Sequence, residues 1–109
     1  MKRIRIIPFR PDLARVLGDI PTTIYYTQLW YWMGKGGRSD GYIYKSKKEI
    51  EYETTLTREQ QDRVRIKLVK MGWLDTRLWR ANAHATLHYK CLKNLEGKSR
   101  HLIRVYDTP

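Results

Sequence analysis

Two helix starts stand close together in this chain, and their spacing limits how it folds. Ser46 is followed three residues on by Glu49, and Thr57 by Gln60. In each pair the hydroxyl can accept from the third backbone N–H of a helix, while the longer side chain reaches back to the first. The pattern predicts one helix from Ser46 to about Glu53. It predicts a second from Thr57 to Met71, stopped at Gly72, the residue type that best tolerates the left-handed cap. Only Thr54-Thr55-Leu56 lies between them, a turn so short that the helices must cross steeply. Ile50 and Leu56 are expected to pin the corner, with Val64, Leu68 and Met71 as the inner stripe of the second helix.

The flanks read as follows. Pro11 suits the first turn of a short helix, Asp12 to Leu17, closed by Gly18 and apolar at Leu13, Val16 and Leu17. A second helix, about Thr22 to Met33, is apolar nearly all round and belongs in a core. Gly34 to Gly41 is rich in turn formers and reads as a flexible loop, and Tyr42-Ile43-Tyr44 as a short strand. After Gly72 come a strand at Trp73 to Leu78, a loop from Trp79 to Ala85, and a strand at Thr86 to Leu92 with Leu87, Tyr89 and Cys91 on one side. Two strands and a loop in that position make a wing. Lys2 to Ile7 alternates basic and aliphatic residues, and Leu102 to Tyr106 has a similar composition; the two are expected to pair within one chain or across a dimer. Asn94 to Arg100 reads as a polar, mobile connection. The expected class is α+β, three to four helices with a two- or three-stranded antiparallel wing sheet, in a domain spanning residues 1–95 with a tail at 96–109.

Charge narrows the partners. The 109 residues carry 22 Lys and Arg against 11 Asp and Glu, a formal net charge of +11. Such a surplus stays on the surface and attracts polyanions by steering and by release of phosphate counterions. DNA, RNA or an anionic membrane surface would fit; a merely solvated basic surface is the plain alternative. No apolar run approaches the roughly 20 residues of a membrane span. The basic start, Met1 to Pro8, lacks the apolar stretch of a signal peptide. The single cysteine, Cys91, rules out an intrachain disulfide and fits a reducing cytoplasm.

Catalytic chemistry finds little support. His84, His88 and Cys91 group metal-binding residue types, but on a strand positions four apart are separated by roughly 13 Å. Glu49 is used as a cap, and Glu49, Glu51 and Glu53 share one segment rather than converging. Gly34-Lys35-Gly36-Gly37 lacks the spacing of a phosphate-binding loop, and His84 to His88 does not look like a nicking-relaxase histidine motif. Cys91 reads as a small buried apolar residue. Tyr25, Tyr26, Trp30, Tyr31 and Trp32 could stack unpaired bases, but at helical spacing they read as core. The expectation is a protein that is not an enzyme, with no cofactor, no metal and no small-molecule substrate.

Several segments together carry a family resemblance: Gln28-Leu29-Trp30-Tyr31-Trp32, Asp40-Gly41-Tyr42-Ile43-Tyr44-Lys45-Ser46, Thr57-Arg58-Glu59-Gln60-Gln61-Asp62-Arg63-Val64, Leu68-Val69-Lys70-Met71-Gly72-Trp73-Leu74 and Leu87-His88-Tyr89-Lys90. From Gly41 to Tyr89, about half its length, the chain resembles winged helix-turn-helix domains of phage and plasmid proteins, replication initiators among them. It departs at Thr55, where that family commonly has glycine. The resemblance implies that the helix of residues 57–71 enters a major groove of duplex DNA. Arg58, Gln60, Gln61 and Arg63 would then read bases, while Lys67 and Lys70 meet phosphates. Gln61 is read equally as a half-buried packing residue. Glu59 and Asp62 would orient neighbouring arginines, and Lys45, Lys47 and Lys48 would flank the duplex or face water. Arg77, Arg80, Asn82 and His84 of the wing would touch backbone or minor groove. The expected role is sequence-specific DNA binding in replication or transcriptional control of a phage, plasmid or other mobile element. The ending at Pro109 is read as leaving no motor-loading or dimerisation domain, so a bound homodimer would act by occlusion. A protein-docking module of a larger nucleoprotein complex and an RNA-binding winged helix stay open as alternatives.

Overall fold

Caps written into the sequence set the ends of the helices. In the computed structural model, which describes residues 9–35, 39–81 and 84–95, Pro11 opens α1 (Pro11–Leu17) and Gly18 closes it at φ 98°. α2 (Ile20–Gly34) begins two residues before the expected Thr22, because the Asp19 carboxylate is its cap and accepts from the Thr22 backbone N–H at 2.7 Å. β1 (Ile43–Tyr44) leads to α3 (Lys47–Thr54), and a three-residue turn leads to α4 (Arg58–Lys70). Both capping boxes form as read, and Gly72 follows α4 at φ 78°. β2 (Leu74–Ala81) and β3 (His84–Cys91) complete the order. The architecture is α+β: four helices and a three-stranded antiparallel sheet of order β1-β3-β2. The terminal segments 2–7 and 102–106, and their suggested pairing, lie outside the described residues, as does the middle of the 34–41 loop.

The core forms where these elements meet. Leu13 and Leu17 of α1, Tyr25, Tyr26 and Leu29 of α2, Ile50 and Leu56 at the α3 corner, Val64 and Leu68 of α4, and Trp73, Leu74, Tyr89 and Cys91 at the sheet are all buried. The aromatic residues of α2 belong to this core through edge contacts, Tyr26 with Trp73 at 5.3 Å and Tyr25 with Tyr89 at 6.4 Å between ring centroids. The Tyr26 hydroxyl donates to the Lys93 carbonyl at 2.6 Å and accepts from the Lys93 N–H at 2.8 Å. That pair of hydrogen bonds to one residue fixes the chain leaving β3.

Four expectations need correction. Val16 and Met71 are exposed, not on inner stripes. Leu13 and Leu17 suffice for the seven-residue α1, and Gln61, at the right helical interval, completes the stripe of Val64 and Leu68. Tyr31 is exposed as well, so α2 is not buried all round. The hairpin ladder also runs further than expected. Leu78 pairs with Leu87, Trp79 with Thr86 and Ala81 with His84, where the sequence reading placed a loop from Trp79 to Ala85. Polar residue types in a segment do not exclude a strand, because an antiparallel sheet can keep one face open to water. Lastly, Leu95 is buried, so the segment expected as a polar, mobile connection from Asn94 is anchored at its second residue.

Candidate nucleic-acid interface

The turn between α3 and α4 is held by its own side chains. The Thr54 hydroxyl donates to the Ile50 carbonyl at 2.6 Å and accepts from the Leu56 N–H at 3.2 Å. Thr55 takes the left-handed conformation, φ 64°, with its N–H donating to the Glu51 carbonyl at 2.7 Å. Beneath the turn, the Gln61 side-chain N–H group donates to the carbonyls of Lys47 and Leu56, each at 3.0 Å. Gln61 is 1% exposed. It therefore stands outside the base-reading set in which it was placed. The corner consumes its donors and leaves almost none of its surface exposed.

With the inner stripe fixed, part of α4 faces outward. Arg58, Glu59, Arg63 and Lys70 are exposed. No carboxylate pairs with Arg58, Arg63, Lys70 or the exposed Lys48 of α3 among the described residues. Gln60 is half-buried, and its side-chain carbonyl accepts from the Thr57 N–H at 2.9 Å. It is first a cap.

Other expected cations are already tied down. Lys67 reaches Asp19 at 2.7 Å, linking the middle of α4 to the cap of α2. It passes over Gly18, where a Cβ would come within 3.1 Å of the Lys67 Nζ. Burial works to raise the Asp19 carboxyl, but hydrogen bonds from Lys67 and Thr22 outweigh it and hold the group below its ordinary value. Beside this pair an open groove of about 390 Å³ is lined by Pro21, Thr22, Gln60, Arg63 and Val64. Lys47 pairs with Asp62 at 2.8 Å, and Arg65 reaches the same oxygen at 3.1 Å. These two hydrogen bonds hold the Asp62 carboxyl low and offset its charge on a face otherwise open to an anion.

Lys45 is a correction. It was placed beside a duplex or in water, yet its side chain is only 11% exposed. It sits 2.8 Å from Glu53 and 4.0 Å over the Trp32 ring. Largely covered between α2 and α3, it serves the packing.

The hairpin contributes Arg77, which is exposed, 3.8 Å from Asp75 and over the Tyr42 ring at 5.0 Å. The Tyr42 hydroxyl donates to the Asp75 carboxylate. On the same face of the sheet His88 lies between Trp79 and Tyr44, with centroids at 4.8 and 5.5 Å. Asn82 lies outside the described residues, as do the side chains of Arg80 and His84.

The sequence reading passed over Ile66 and Val69, both exposed on the outer side of α4. Their signal was helical spacing alone: Ile66 falls one turn from Asp62, Arg63 and Lys70, and Val69 one turn from Ile66 and Arg65. Elsewhere, burial pushes the Cys91 thiol up to about 12, so it is a protonated, inert side chain at neutral pH. Among the described residues no three His, Cys, Asp or Glu side chains come together as metal ligands, and no helix is long and apolar enough to cross a membrane. Compared with protein-family models, with curated proteins and with solved structures, the chain finds no match.

Proposed function

We propose that this chain is a winged helix-turn-helix protein that binds duplex DNA sequence-specifically. In this reading α4 lies in the major groove and the β2–β3 hairpin is the wing against the backbone. Arg58 and Arg63 are the base readers, since arginine can bond guanine at two atoms. Lys48, Lys70 and Arg77 contact phosphates and set position. Lys47 and Lys67 lend charge while held by Asp62 and Asp19. The protein acts in the cytoplasm, without cofactor or catalysis, in replication or transcriptional control of a phage, plasmid or other mobile element. The observation that carries the reading is the set of exposed cations on α4 and the start of α3 that no carboxylate pairs among the described residues, in a chain of net charge +11. The resemblance of residues 41–89 to winged helices supports it.

The first test is a gel shift on random-sequence duplex DNA at rising salt. Contacts to several phosphates predict binding at about 50 mM salt that weakens by orders of magnitude near 200 mM. No shift at the lowest salt would defeat the proposal and favour a protein-docking role. Competition by structured RNA but not by duplex DNA would favour an RNA-binding winged helix.

A further inference from the structure

Ile66 occupies the middle of the outward side of α4. Its neighbours one turn away are Asp62, Arg63, Val69 and Lys70. Ile66 is 49% exposed and Val69 43% exposed. Neither serves the core, whose α4 contribution is Gln61, Val64 and Leu68. β-Branched residues are also weaker helix formers than the Lys, Glu or Gln that would suit a solvated position. Two of them side by side on this one face therefore need an occupant that is apolar at the contact.

The surrounding charge states which occupant. Arg63 and Lys70, one turn from Ile66, are exposed cations, Asp62 is offset by Lys47 and Arg65, and Arg58 beside the exposed Glu59 lies two turns toward the start of the helix. The partner is a polyanion that carries small apolar groups. Duplex DNA offers one such group in its major groove, the C5-methyl of thymine. Duplex RNA has none, because uracil lacks the methyl, and its major groove is too deep and narrow for side chains to read. We propose that Ile66 and Val69 are specificity-determining residues that recognise thymine through its C5-methyl. Their separation along the helix axis, about 4.5 Å, exceeds one base-pair step of about 3.4 Å but falls short of two, so neighbouring thymines are the expected target. The inference rests on the placement of α4 in a major groove proposed above.

The test begins with duplexes that the wild-type protein retains from a random-sequence pool. One of these is synthesised repeatedly, with each thymine in turn replaced by deoxyuridine, which removes only the methyl. At one or two adjacent positions the replacement is expected to weaken wild-type binding about fourfold, the value of one buried methyl-sized group. For Ile66→Ala, or Val69→Ala at the neighbouring position, the thymine and deoxyuridine duplexes are expected to bind equally. Each comparison uses one protein sample on two duplexes, so a change in the folded fraction cancels. Retained duplexes that tolerate deoxyuridine everywhere would overturn this inference and leave DNA binding standing. So would a deoxyuridine penalty that persists in both variants. A pool from which no duplex is retained would overturn both.

Discussion

Gln61 supports the α3–α4 corner from beneath, one amide group serving the carbonyls of Lys47 and Leu56. Gln61→Leu keeps the shape and removes both donors, leaving two carbonyls without that partner. The expected cost is roughly 1–3 kcal/mol, read by thermal or chemical denaturation. Because almost none of its surface is exposed, DNA affinity per folded molecule should stay within about twofold, on the order of 0.4 kcal/mol. A large loss of affinity with unchanged stability would show Gln61 to be a reader instead. Thr55 is instructive in a different way. Glycine is expected where φ is positive, and here a β-branched residue holds φ 64° because its neighbours fix the turn. The threonine was visible in the sequence, but the left-handed conformation it adopts was not.

At the scale of elements, α2 and α3 are joined through Glu53. Its carboxylate accepts from Gln28 at 2.9 Å, from the Trp32 indole at 2.9 Å and from Lys45 at 2.8 Å. Burial tends to raise the Glu53 carboxyl, but these three donors outweigh it and hold the group below the ordinary 4.5. A carboxyl depressed in the folded state adds stability above its unfolded value and loses it as pH falls through the folded one. Acidification below about pH 5 should therefore lower the denaturation midpoint of the wild type. Glu53→Gln should be less stable at neutral pH and lose less on acidification. Some slope will remain from Asp19, Glu49 and Asp62, which are also held low. Equal acid sensitivity of the two proteins would contradict the assignment. The helix ends were legible because caps are local: Ser46 with Glu49, Thr57 with Gln60, and Gly18 and Gly72 each beside the helix it ends. The links between helices were not, since Gln28 lies 25 residues from Glu53 and Asp19 lies 48 from Lys67. Nothing near either residue in sequence announces its partner. The hairpin's length was hidden for the same reason, as a ladder is decided by the opposing strand. The outward position of Ile66 and Val69 could be read from helical period, but the charges around them drew the reading first.

Across the whole molecule, net charge foretells a class of partner but not which cations meet it. The structure divides them. Lys45 is taken into the packing, Lys47 and Lys67 are held by carboxylates, and Arg58, Arg63, Lys48 and Lys70 stand free among the described residues. In the proposed function this last group provides the charge of the interface, and Arg58 and Arg63 read bases beside the thymine contacts of Ile66 and Val69. The most direct measurement is the affinity of the Arg58→Ala/Arg63→Ala double variant for a duplex selected by the wild type, set against its affinity for random duplex. Both side chains are exposed, so the variant should fold as the wild type does. The account predicts a loss of roughly 1–3 kcal/mol per arginine on the selected duplex and a smaller loss on random DNA, narrowing the preference between them. A folded double variant that binds the selected duplex as tightly as the wild type would contradict it.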